Sequence, residues 1–150
     1  MKIGIDWGGT KIEGIVLDSQ TGEEITRKRV SSPKENYQEI IIAVKDLIEN
    51  ISKNYDSFTV GIGMPGSLHP KTGLVQVSNT KALEGQNVKK DLEDLLGYDL
   101  RIANDADCLA VSESIDGSGI NYDSVFAVIL GTGVGAGYTF KNQLVSGPNR

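Results

Sequence analysis

Two apolar strands in this chain each run directly into a glycine-dense turn, and that pairing limits the folds open to it more than any other feature. Met1-Lys2-Ile3-Gly4-Ile5 leads into Asp6-Trp7-Gly8-Gly9-Thr10-Lys11, and the run from Val125 to Leu130 leads into Gly131-Thr132-Gly133-Val134-Gly135. Backbone N–H groups in such turns can surround an anion, so the two turns read as phosphate-gripping jaws with a cleft between them. Asn104-Asp105-Ala106 lies between them in the chain, at the start of a predicted helix. A carboxylate beside two phosphate-gripping turns points to phosphoryl transfer.

The order of elements follows from periodicity. Residues 2–6, 12–18 and 24–30 read as an antiparallel meander of short strands, with Asp18-Ser19-Gln20-Thr21-Gly22 as the second turn. Tyr37, Ile40, Ile41, Val44, Leu47, Ile48, Ile51 and Tyr55 recur at three- and four-residue steps and predict an amphipathic helix. Ser32 with Glu35, or Asn36 with Glu39, satisfies the capping pattern at its start. Phe58 to Ile62 reads as a buried strand ending in Gly61-Ile62-Gly63-Met64-Pro65-Gly66, and the loop-rich stretch 67–86 holds a small hairpin arm at Leu74–Val77. Asn87 caps a helix to Leu96 that Gly97 stops, Asp99 to Ala103 is a fifth strand, and Asp105 to Ile115 a further helix.

After the boundary-like run 116–121, residues 124–130, 135–140 and 142–146 read as strands. The order βββαβαβα thus closes by about residue 118 and βββ begins again. Residues 1–118 are expected to form one domain and 119–150 the start of a second, truncated one. A three-stranded sheet with no helix to cover it is poorly stable, so the chain reads as a fragment of a longer protein.

Composition excludes several classes. A net charge of −5 argues against a nucleic-acid surface, and Arg27-Lys28-Arg29, beside Glu23 and Glu24, reads as a solvated sheet edge. One cysteine, Cys108, makes no internal disulfide, which suits a reducing cytoplasm, and it is expected as a small buried hydrophobe on its helix. Asp6 interrupts the apolar start, so no signal peptide is read, and no apolar run nears the ~18 residues of a membrane span. His69, the sole histidine, reads as a surface-loop residue, and with one cysteine no zinc site is expected inside this chain. No Walker A loop occurs, and the two dinucleotide-like spellings, at 61–66 and 131–136, lack the helix that such a fingerprint opens.

The remaining motifs have chemical roles available to them. Asp6, at a strand end, can hold Mg²⁺ directly or through water. Gly8 and Gly9 let the backbone approach a phosphate, while Thr10 and Lys11 offer a hydroxyl and a positive charge. Asp105, at a helix N-terminus, is the candidate general base, and Asn104 offers both donor and acceptor to a sugar diol. Asp107 points elsewhere by helical spacing and reads as a first-turn carboxylate.

Taken in order, Asp6-Trp7-Gly8-Gly9-Thr10-Lys11, Gly63-Met64-Pro65-Gly66, Asn104-Asp105-Ala106 and Gly131-Thr132-Gly133-Val134-Gly135 resemble the ROK family of sugar kinases and sugar-responsive repressors. The resemblance implies an α/β, ribonuclease-H-like fold of the actin/hexokinase/Hsp70 superfamily: a five-stranded mixed sheet plus the first strands of a second, similar domain. It implies ATP and Mg²⁺ on one side of the cleft and a hexose on the other, with Asp105 as catalytic base. Asp6, Gly8, Gly9, Thr10 and Lys11 match the first phosphate motif, Asp6 holding the metal through water, and Gly131, Thr132 and Gly133 the second. Gly66, Asn79, Asn104 and Asp105 match the sugar wall.

The stretch from Gly66 to Gly73, Ser78-Asn79-Thr80, and the run from Ala103 to Glu113 are most similar to bacterial fructokinases of the manno(fructo)kinase type, which implies conversion of fructose to fructose 6-phosphate. N-acetylglucosamine kinases are close relatives and stand as the alternative. From another class, the sugar-sensing domain of a repressor is the second reading, disfavoured because a strand starts at Met1 where a helix-turn-helix would precede, and a non-catalytic interaction fragment is the third. The family's zinc motif, further sugar contacts and adenosine-binding glycines fall beyond residue 150, so this chain is expected to be inactive alone. No membrane partner is expected, and the full-length protein is expected to be a homodimer.

Overall fold

A computed structural model describes residues 1–131 and 133–147. Alternation of side chains organises its main sheet. In β1 (Lys2–Trp7) Ile3, Ile5 and Trp7 are buried on one face while Lys2 and Asp6 are exposed, and in β2 (Lys11–Leu17) Ile12, Gly14 and Val16 turn the same way. β3 (Glu24–Ser31) forms the outer edge. Arg27 pairs there with Glu24 and Glu13, and Arg29 with Glu13, so the basic triplet is a solvated edge. Exposed pairs of this kind contribute little to stability.

The inward face is covered by α1 (Tyr37–Ser52), which buries Ile40, Ile41, Val44, Leu47, Ile48 and Ile51. Each such side chain contributes about 1.5–3 kcal/mol when fully removed from water. Asn36 is the residue that caps the helix, accepting the Gln38 and Glu39 N–H groups, which decides between the two capping patterns in the sequence. β4 (Thr59–Met64) returns parallel to β1. β5 (Ser67–Leu68) and β6 (Val75–Val77) pair as the small arm, and a single 3₁₀ turn follows at Lys81–Leu83. α2 (Val88–Leu96) is capped by Asn87 and closed by Gly97 in the left-handed region. β7 (Arg101–Asn104) lies parallel to β4 and leads straight into α3 (Asp105–Ile115). The resulting strand order, β3-β2-β1-β4-β7, is the expected five-stranded mixed sheet.

A second antiparallel sheet follows: β8 (Ser124–Leu130), β9 (Val134–Phe140) and β10 (Gln143–Leu144), the last shorter than the 142–146 predicted. The expectation that no helix covers these strands is corrected, because α3 lies against β8 and β9 while also touching β4 and β7. The seam is built from small residues. A β-carbon on Gly137 would fall 2.4 Å from the Ala106 carbonyl oxygen and 2.8 Å from Ala110 Cβ, so only glycine admits this approach. The opposite face of the sheet stays open, with Phe126, Leu130 and Val134 at 68%, 80% and 77% exposure.

Cys108 is not the buried hydrophobe expected from the sequence; it is exposed. Ala106, Ala110 and Ser114 take the buried face of α3, and Cys108 looks instead toward the bare backbone of Gly63 on β4, its Sγ 3.4 Å from where a β-carbon would stand.

Candidate active site

Because β1, β4 and β7 run parallel, their carboxyl ends open along one edge of the sheet, where ligands of open α/β sheets bind. A cleft of about 580 Å³ lies there. It brings together Gly8, Gly9 and Thr10 from the first glycine turn, Gly131 and Gly133 from the second, and Gly66, Asn79, Asn104 and Asp105 from the wall between them. Thr132 lies outside the described residues. Asp6 and Lys11 do not line the cleft: Lys11 is exposed and its carbonyl accepts the Gly8 N–H at 2.9 Å, closing the first turn. The second turn is narrowed by the Gly131 N–H, which donates to the Gly133 carbonyl at 2.9 Å.

Asp105 starts α3, and its carboxylate Oδ1 accepts the Ala106 N–H at 2.9 Å. The helix is capped by Asn104, whose Oδ1 accepts the N–H groups of Ala106 at 3.0 Å and Asp107 at 3.3 Å. Asn104 Nδ2 donates to the Gly66 carbonyl at 2.9 Å. Three of its four hydrogen-bonding positions are therefore already committed, leaving one amide hydrogen for a ligand. Gly66 itself has φ +108, and a β-carbon there would collide with the Val77 carbonyl oxygen at 2.2 Å. Asn79 reaches the second turn, its Nδ2 lying 3.1 Å from the β position of Gly133.

The electrostatics join the first turn to Asp105. Asp6 keeps access to solvent, yet partial desolvation at the strand end, followed by the charges of Glu13 and Asp105, raises its carboxyl above the ordinary carboxylate range; Arg29 pulls the other way. A carboxyl whose ionised form is disfavoured by two neighbouring anions gains from a cation. One oxygen ligand at such a point, with water and phosphate oxygens completing the shell, suits Mg²⁺. The Cys108 thiol is pushed up in the same way, by desolvation first and then by Asp107, Asp105 and Asp6.

Asp107 lines a smaller cavity of about 300 Å³ with Ser67, Leu68, Ile102, Ala103, Asn104 and Ala136, in keeping with its expected direction away from the main cleft. His69 is an organising loop residue: its Nδ1 accepts the Lys71 and Thr72 N–H groups, each at 3.2 Å. Sequence reasoning missed Lys34, Ser67, Ser78 and Thr80 in the cleft wall. Ser67, Ser78 and Thr80 adjoin residues it had singled out, whereas nothing in the sequence around Lys34 marks it.

A mixed sheet of this order, with helices beside it and a ligand cleft at its strand ends, defines a ribonuclease-H-like domain of the actin/hexokinase class. The ROK family pattern matches residues 2–149, and the chain belongs to the ROK family. It is similar to an N-acetyl-D-glucosamine kinase of Pasteurella multocida, 38% identical over 148 residues, covering 98% of this chain and 48% of that protein. A second N-acetyl-D-glucosamine kinase, from Yersinia enterocolitica, is 41% identical over 150 residues, covering 99% of this chain and 49% of its own. Among solved structures, a ROK family glucokinase from Streptomyces griseus in complex with glucose and AMPPNP superposes with a TM-score of 0.88 at 30% identity, covering 99% of this chain and 47% of that one. The chain spans about half the length of the curated relatives it matches.

Proposed function

We propose that this chain supplies the catalytic base and two phosphate-facing turns of an ATP-dependent hexose kinase. The observation that carries this reading is the convergence of Gly8–Thr10, Gly131 and Gly133 on one cleft with Asp105. In it, the hexose hydroxyl oxygen bonds to the terminal phosphorus of ATP as the bond from that phosphorus to the β–γ bridging oxygen breaks and ADP leaves. Asp105 accepts the hydroxyl proton, and backbone N–H groups of both turns face the charge on the transferring group. Mg²⁺ bound at Asp6 would neutralise phosphate charge. Gly66, Asn79 and Asn104 orient the sugar. Residues 119–150 belong, in this reading, to the second lobe, and the family's zinc site and homodimer are properties of the whole protein in a reducing cytoplasm.

The substrate reading moves from fructose toward N-acetylglucosamine. The fructokinase resemblance rests on short segments, whereas N-acetylglucosamine kinases are 38% and 41% identical across nearly the whole chain. The test is phosphoryl transfer from ATP to N-acetylglucosamine, glucose, mannose and fructose by the complete polypeptide, wild type beside Asp105→Asn. Transfer to one of these by the wild type, falling by about 10²–10⁴-fold in the variant, is expected. Equal turnover by both proteins removes Asp105 from the role of base, and fructose as the sole acceptor reverses the substrate assignment.

A further inference from the structure

The segment Ser78-Asn79-Thr80 lies against the Pro65–Gly66 loop and beside Gly9 and Gly133 of the two glycine turns. Ser78 is only 3% exposed, and its hydroxyl is used twice: Oγ donates to the Pro65 carbonyl at 3.0 Å and accepts the Thr80 N–H at 3.1 Å. The next carbonyl, that of Gly66, accepts from Asn104, the residue that caps the helix of Asp105. On the other side of the hydroxyl, Thr80 Oγ1 lies 3.8 Å from the β position of Gly9, and Asn79 Nδ2 3.1 Å from that of Gly133. One buried oxygen thus stands where the paths to the base and to both glycine turns cross.

We propose that Ser78 is a positioning residue, the clamp that keeps both glycine turns at a set distance from Asp105. What that spacing serves rests on the kinase reading above. Group transfer depends on reacting atoms held about 3–3.5 Å apart, and a 1 Å misplacement from a remote change costs about 10²-fold in rate. Ser78 acts through its neighbours' backbone and has no part in the proton transfer. Alanine at this position leaves a buried carbonyl and a buried N–H without partners. Threonine keeps the oxygen.

The test compares Ser78→Ala and Ser78→Thr with the wild type by NMR on this chain, following solvent exchange at the Gly8 and Gly131 amides. Both N–H groups are bonded within their own turns, to the Lys11 and Gly133 carbonyls. In Ser78→Ala, exchange at both amides rises roughly tenfold, the factor matching loss of one hydrogen bond, while Val44 and Leu47 in α1 keep their rates. Ser78→Thr returns toward wild type. Unchanged exchange at Gly8 and Gly131, or an equal rise in α1, overturns the proposal.

In a polypeptide competent for transfer, Ser78→Ala lowers kcat by about 10- to 100-fold with little change in hexose KM. A raised KM with kcat intact would make Ser78 a hexose-binding residue and overturn the clamp. A wild type that phosphorylates no hexose refutes the kinase reading instead, and the exchange rates still decide the role of Ser78.

Discussion

Asn104 Nδ2 lies 2.9 Å from the Gly66 carbonyl oxygen, while Oδ1 of the same side chain accepts the Ala106 and Asp107 amides. One residue therefore caps α3 and ties the strand-end loop to it. The two functions separate by mutation. Asn104→Ala is expected to lose about 0.5–2 kcal/mol, the usual worth of an N-cap. Asn104→Ser recovers most of that stability, since serine caps equally well, but cannot reach Gly66. Urea denaturation should show the recovery, and hexose titration should not.

Gly66→Ala tests the loop from the other side. At φ +108, with a carbonyl oxygen 2.2 Å from the β position, alanine meets both backbone strain and a collision. The strain alone is worth about 1–3 kcal/mol. A clearly lowered melting temperature is expected; one unchanged from wild type would contradict the conformation of this turn.

Gly137→Ala probes the seam between β9 and α3. Overpacking of this kind typically costs about 1–3 kcal/mol, and relief would require α3 to back away, carrying Asp105 with it. Thermal unfolding should show the loss. Turnover in a transfer-competent polypeptide should fall by more than the unfolded fraction accounts for.

Cys108 offers a pH measurement. Its thiol is exposed but held above its ordinary value by desolvation and by three carboxylates, the nearest in effect being Asp107. The thiolate is the reactive form, so at pH 8 alkylation by iodoacetamide should be slower than for a cysteine peptide. The rate should go on climbing with pH past about 8.5, where an ordinary thiol is half ionised. Asp107→Asn should shift the profile to lower pH. A profile matching the free peptide would sink this account.

Much of this architecture is local and was legible in the chain. Asn104 before Asp105 marks the start of α3, Asn87 and Gly97 bracket α2, and the apolar run from Met1 to Ile5 marks β1. The glycine turns announced a cleft because they follow strands. What sequence reasoning could not reach depends on distant segments meeting. Two patterns fit the start of α1, and the structure uses Asn36. Cys108 looked buried because α3 is a helix of small and apolar residues, yet the face that sinks is chosen by Gly135 and Gly137, which come far later in the chain. Likewise nothing near Ser78 reveals that Pro65 and Gly66 will lie beside it.

The glycine–alanine seam has a mechanical consequence. Where β9 meets α3, Gly135 and Gly137 stand against the methyl groups of Ala106 and Ala110 and the Ala106 main chain, so a side chain added on either surface has no slack to take it up and shifts the helix that Asp105 begins.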